Sequence, residues 1–111
     1  MEDAGHELKD INALLIGNEV ATYIFKADSN AMTEAGIYEG DRLVVDRSLE
    51  AKHGDIVIAS YKGKFLVRRL SNQGGHIRLL AENPIYPPLQ VKEADEFEIW
   101  GVVTSSIHKL C

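Results

Sequence analysis

The sequence predicts a small, mostly antiparallel β domain, and three observations lead there. From Val20 onward, short β-type runs alternate with turn signals about every ten residues, the pattern of an all-β domain. Lys62-Gly63 sits between two apolar β-branched runs as a tight hairpin signal, because glycine takes positive φ at no steric cost. The chain has 111 residues, enough for one core that buries roughly two thirds of the surface an unfolded chain of this size exposes, and not for two.

Taken in order, residues 1–19 read as an acidic arm, with Glu2, Asp3, Glu7, Asp10 and Glu19 set against Lys9 alone. Within it, Asp10 is placed to cap a short helical turn whose Ile11, Leu14 and Leu15 fall on one side by their i, i+3, i+4 spacing. The domain proper is expected over residues 20–111. Its strands are expected at Ala21 to Lys26, Arg42 to Asp46, Asp55 to Tyr61, Lys64 to Leu70, His76 to Leu80 and Phe97 to Thr104. The hairpin at Lys62-Gly63 would pair Ile56-Val57-Ile58 with Phe65-Leu66-Val67, and Asn72-Gln73-Gly74-Gly75 marks the next reversal. Pro84, Pro87 and Pro88 cannot donate ladder hydrogen bonds, so Glu82 to Leu89 is expected as an irregular or edge segment. One stretch breaks the β pattern: Asn30-Ala31-Met32-Thr33-Glu34-Ala35-Gly36 has an N-cap residue, helix formers and a closing glycine, and predicts a two-turn helix directly after the first strand.

Composition narrows the function classes. Lys plus Arg number 12 and Asp plus Glu 17, for a net charge of −5, so no strong positive field draws the protein to DNA or to anionic lipid. A single cysteine, Cys111, excludes a disulfide framework and a multi-thiolate metal site, and fits a reducing compartment. No apolar run approaches the roughly 20 residues of a membrane span, and the acidic start does not resemble a secretory signal; a cytoplasmic location is expected.

His6, His53, His76 and His108 fall on separate predicted elements without metal-ligand spacing, so no metal or other cofactor is assigned. Gly36-Ile37-Tyr38-Glu39-Gly40-Asp41 is neither a P-loop nor a dinucleotide fingerprint and reads as a turn. Ser48, Ser60, Ser71, Ser105 and Ser106 lie in no strand-to-helix elbow of the kind that presents a nucleophile. Arg68 and Arg69 point to opposite faces of a strand. Either one of them is enclosed beside an anionic or carbonyl partner, or both are edge arginines in solvent; the residues alone leave both readings open.

From Ala21 to Thr104 the chain resembles the UmuD and LexA family of self-cleaving serine peptidases, and within it the UmuD branch. The blocks that carry the likeness are Ala21-Thr22-Tyr23; Met32 leading to Gly36-Ile37; Glu39-Gly40-Asp41-Arg42-Leu43-Val44-Val45-Asp46; His53-Gly54-Asp55-Ile56-Val57-Ile58-Ala59; Lys64-Phe65-Leu66-Val67-Arg68-Arg69-Leu70; Asn83-Pro84-Ile85-Tyr86; and Trp100-Gly101-Val102-Val103. Several blocks in one order are far more specific than any single motif.

The resemblance implies a catalytic pair made of a serine just before the methionine and a lysine in a Phe-x-Val-Lys strand. A serine hydroxyl is a poor nucleophile until a base takes its proton, and a lysine serves as that base when burial holds it neutral. In this sequence the nucleophile slot holds Ala31 and the base slot holds Arg68, 37 positions apart as the family pattern implies, with the Met32 backbone on the oxyanion side. Alanine has no oxygen to attack a carbonyl, and a guanidinium does not accept a proton near neutrality. The expectation is therefore a catalytically inactive chain, either naturally decayed or an active Ser-Lys autopeptidase inactivated by substitution.

A cleavable arm is also implied, and upstream of Ala31 the chain offers only Ala4-Gly5, closer to Ala31 than the family spacing; the arm is expected to be like that of the shortened, mutagenically active form. The resemblance further implies a LexA/UmuD-type fold of bent antiparallel β ribbons with one short helix and a mobile N-terminal arm, and a homodimer in which Ile99, Trp100 and Val102 are candidate contacts. The implied role is that of an accessory subunit of an error-prone translesion polymerase in SOS mutagenesis, binding a Y-family, UmuC-like polymerase subunit and the RecA filament, with no direct DNA or membrane binding. The dimerisation half of a LexA-like repressor is the alternative.

Overall fold

The structure, a computed structural model, describes residues 4–7 and 21–108. The helical turn expected around Asp10, Ile11, Leu14 and Leu15 lies outside the described residues. Among the described residues eight strands form one antiparallel sheet: β1 (Ala4–Glu7), β2 (Thr22–Ala27), β3 (Arg42–Asp46), β4 (Ile56–Tyr61), β5 (Lys64–Gln73), β6 (His76–Leu80), β7 (Leu89–Gln90) and β8 (Phe97–Ile107). Their order across the sheet is β1-β2-β3-β8-β4-β5-β6-β7. The mostly β class expected from the sequence is what the chain adopts.

The bend of the sheet is built on β8. Its first part pairs with β4, up to Val57↔Val102, and its second part pairs with β3, from Asp46↔Val102 onward. Only Val102 is shared, so β8 joins a β1-β2-β3 ribbon to a β4-β5-β6-β7 ribbon. Each half also carries an extra residue. Ile58 faces Gly101 while Ala59 faces Ile99, which leaves Trp100 bulged, and Val45 faces Val103 while Val44 faces Ser105, which leaves Thr104 bulged. Bulges of this kind bend a strand and increase its twist.

Two apolar clusters lie on the two faces. Phe25, Ala31, Met32, Leu43, Val45, Ile58 and Val67 form one, and Val57, Ala59, Leu70, Leu79 and Val102 the other. Alternation explains the split: Ile58 and Val67 face each other in one cluster, while Val57 and Ala59, one residue to either side of Ile58, belong to the other. The hairpin between β4 and β5 turns through Lys62 and Gly63 at φ 50° and 82°, the positive-φ pair of a two-residue turn matched to strand twist.

Three expectations are corrected. The two-turn helix over 30–36 is a single 3-10 turn, Thr33–Ala35, closed by Gly36 at φ 88° and lacking a side-chain N-cap. Asn30, the expected cap, accepts instead from the distant Glu39 N–H at 3.1 Å, and the carbonyl of Ala31 is taken by the N–H of Glu82 at 2.8 Å. The groups that would have lengthened the helix are committed elsewhere. The second correction falls on the arm, where Ala4–Glu7 pairs with Ala27 to Ile24 as an edge strand. Last, β5 and β8 run longer than expected: Ser71-Asn72-Gln73 pairs with β6 and Ser105-Ser106-Ile107 with β3, and apart from the buried Ser71 these residues are exposed and carried by ladder bonds.

Candidate functional site

The strand β2 delivers the chain into a tight segment, Asp28 to Gly36, that carries the expected nucleophile slot. Ala31 is fully buried and Met32 nearly so. The Ala31 N–H donates to Ser29 Oγ at 3.3 Å, and the Met32 carbonyl accepts from both Ala35 and Ile37, so the backbone on either side of the slot is fixed. A methyl group occupies the position; the Ser29 hydroxyl, two residues before it, bonds this backbone and serves as an acceptor there.

Arg68, the expected base slot, sits on β5 with 6% of its surface exposed. Its guanidinium Nη1 donates to the Val67 carbonyl at 2.8 Å and its Cζ lies 5.7 Å from the centre of the Tyr86 ring. Of the two readings left open for the arginine pair, enclosure beside a carbonyl is the one observed. Arg69 points the other way, donates to the Gly54 carbonyl at 2.7 Å and approaches Glu82 at 3.6 Å.

What ties the two slots together is the segment 81–86. Glu82 bridges the Asp28 to Gly36 segment through two backbone bonds, its N–H donating to Ala31 O and its carbonyl accepting from the Glu34 N–H, both 2.8 Å. Asn83 donates to Asn30 O at 2.7 Å and accepts from Ile85 N–H at 3.1 Å. Tyr86 then packs on the cluster that contains both Ala31 and Val67, with Arg68 over its ring. Sequence reasoning quoted Asn83-Pro84-Ile85-Tyr86 as a block without giving it a role; the Asn-Pro pair was the signal of a structured turn.

The residues expected at a dimer contact divide. Val102 is buried beneath β8 with Val57 and Leu79, and Ile99 is partly buried against the same cluster. Trp100 takes its place among aromatic rings, edge-on to Tyr23 at 5.0 Å and Phe25 at 4.9 Å, with the Arg47 guanidinium 4.2 Å from its centroid. Ile99 and Trp100 line an open groove of about 380 Å³ together with Leu49, Leu70 and Ile77. Among the described residues no three His, Cys, Asp or Glu side chains converge, and no helix is long and apolar enough to cross a membrane. His108 Nδ1 lies 2.6 Å from Asp41 Oδ1, and His53 Nδ1 accepts from the Asn72 N–H; both hold turns and strand ends in place.

The chain is thus a bent antiparallel sheet with Ala31 buried after its second strand and Arg68 buried on the far ribbon. The chain belongs to the Peptidase S24-like family, whose pattern matches residues 2–104. It is similar to the protein SamA of Salmonella typhimurium, 42% identical over 96% of this chain and 74% of that one. The protein ImpA of Escherichia coli is 37% identical over 96% of the chain and 72% of its own length. The LexA repressor of Bordetella pertussis is 42% identical over 85 residues, which is 39% of that protein. The UmuD and LexA resemblance therefore stands.

Proposed function

We propose that this chain is a catalytically inactive, UmuD-like accessory subunit of an error-prone translesion polymerase, working in SOS mutagenesis by dimerisation and protein binding. One observation carries the reading: the nucleophile slot is a buried methyl group at Ala31 and the base slot is a buried guanidinium at Arg68. Neither can do proton-transfer chemistry, since one has no acidic hydrogen on oxygen and the other keeps its proton. The β framework around them is formed nonetheless, as a protein retained for its surface would keep it. Similarity to SamA and ImpA over most of both chains supports membership of the UmuD-like branch.

On this reading the chain pairs with itself through the surface around Ile99 and Trp100, with Val102 setting the strand from beneath. Its partners are a Y-family, UmuC-like polymerase subunit and the RecA filament in the cytoplasm. The net charge of −5 suits docking on proteins and leaves DNA to them. The 85-residue match to the LexA repressor favours a second reading, the dimerisation half of a repressor, which predicts no polymerase capture.

The test restores the pair. The double variant Ala31→Ser, Arg68→Lys should cut a supplied peptide containing an Ala-Gly or Cys-Gly bond, while each single variant stays inert because nucleophile and base act as a unit. A folded double variant that cuts nothing removes the assignment of the two slots. Capture of a Y-family polymerase subunit from damaged cells checks the partner, and its absence alongside an intact dimer points to the repressor reading.

A further inference from the structure

The backbone N–H of Ala31 is already in use. It donates to Ser29 Oγ at 3.3 Å in a partly buried contact. The backbone around it has no slack: the Ala31 carbonyl accepts from Glu82, the Met32 carbonyl from Ala35 and Ile37, and the Glu34 N–H goes to the Glu82 carbonyl. An N–H in this position has a chemical role in acyl transfer. When a hydroxyl attacks a peptide carbonyl, a C–O bond forms, the hydroxyl proton passes to the base, and the carbonyl π pair moves onto oxygen. That oxyanion needs a hydrogen-bond donor already aimed at it and unoccupied. The nucleophile's own backbone N–H is the nearest donor, and chymotrypsin-type peptidases use it in this way.

We infer that Ser29 is a third inactivating position of this chain: its hydroxyl occupies the donor that would stabilise the oxyanion, so the site is closed at nucleophile, base and oxyanion donor alike. The inference rests on the preceding assignment of Ala31 and Arg68 as the nucleophile and base slots. Ser29 acts through the Ala31 N–H and touches no reacting atom, which makes it a positioning residue. A serine hydroxyl that accepts from an N–H two residues on is also an ordinary turn clamp, and the two roles predict opposite signs. If Ser29 were only a clamp, removing its hydroxyl would loosen the segment and slow a restored reaction. As the occupant of the donor, its removal frees the N–H and speeds that reaction. The bond is long for its kind, so the block is partial, and a restored pair cuts with Ser29 in place but more slowly.

Kinetics on the full chain carrying Ala31→Ser and Arg68→Lys test it, with a supplied Ala-Gly or Cys-Gly peptide and position 29 left as serine or changed by Ser29→Ala or Ser29→Thr. Ser29→Ala should raise kcat about threefold to tenfold, the range that one net hydrogen bond spans. KM should change little, because the oxyanion exists only in the transition state. Ser29→Thr keeps the hydroxyl and should cut at the rate seen with serine. In the parent chain, Ser29→Ala should speed amide exchange at residue 31 by a similar factor, a readout that needs no cutting and decides alone if the double variant fails to fold. Equal or slower cutting with Ser29→Ala overturns the inference and leaves the two slots standing, and exchange at residue 31 that ignores Ser29→Ala overturns it as well. Folded variants that cut nothing at all remove the slot assignment and this inference with it.

Discussion

Replacing Gly101 by alanine gives the most direct test of how β8 is packed. A Cβ built on Gly101 would lie 2.6 Å from Val45 Cγ1, with the Asp46 carbonyl at 3.4 Å and Arg47 Cγ at 3.5 Å close behind. Carbon atoms at optimal separation sit about 3.5 to 4.0 Å apart, so Val45 must move by roughly an ångström. It has nowhere to go, because it is fully buried and its β-branched side chain is stiff at χ1. Overpacking of this kind costs about 1–3 kcal/mol. At about 2 kcal/mol and a urea slope near 1.5 kcal/mol/M the unfolding midpoint falls by roughly 1.3 M. The decisive measurement is a double-mutant cycle with Val45→Ala. Removing Val45's methyl groups relieves the clash, so the double variant should be more stable than the sum of the singles by about 1 kcal/mol or more. Additive losses, or a Gly101→Ala midpoint within error of the parent, would refute the steric argument.

Other outcomes follow from the same geometry. Asn83→Ala deletes the bonds to Asn30 O and Ile85 N–H and should cost about 1 kcal/mol of stability while raising exchange at Glu34, whose N–H depends on Glu82; thermal melts with amide exchange will show it. The carboxyl of Asp95 is held below the ordinary aspartate range chiefly by the Lys92 N–H, helped by the Tyr61 hydroxyl and the Lys62 and Lys92 charges against some desolvation. A depressed carboxylate stabilises the fold above its unfolded pKa of about 3.9 and loses that contribution as pH falls through the folded value. The stability gap between parent and Asp95→Asn should therefore be present at pH 6 and shrink below about pH 4 in urea titrations. Light scattering at micromolar concentration should give twice the monomer mass for the parent and monomer for Ile99→Glu, and a parent monomer would remove the proposed self-contact.

Much of this architecture was legible in the chain, and the failures have physical causes. Arg42 to Asp46 and His76 to Leu80 emerge with the expected bounds because alternation and flanking turn residues agree there. The Lys62-Gly63 hairpin was readable since few residue pairs accept two consecutive positive φ values. Ala31 and Arg68 are read as slots from the register of whole blocks of residues, since no property of alanine or arginine marks them; what the structure adds is that both are buried. The 3-10 turn was missed since its length depends on Glu82, about fifty residues away, which takes the Ala31 carbonyl. The strand β1 gave no signal because Ala-Gly-His-Glu has no apolar alternation and is a strand by its pairing with β2. The bulge at Trp100 was equally hidden, as it is defined by what β4 places opposite.

The way β8 joins two ribbons at Val102 has a consequence for biosynthesis. Strands β1 to β3 and β4 to β7 each pair with sequence neighbours and can zip locally as they leave the ribosome, but β3 and β4 meet only through a strand that is translated after both. Until residue 107 has emerged from the exit tunnel the two ribbons remain unjoined halves with exposed apolar faces, so a stalled or prematurely terminated message would release a chain poised to aggregate or be degraded.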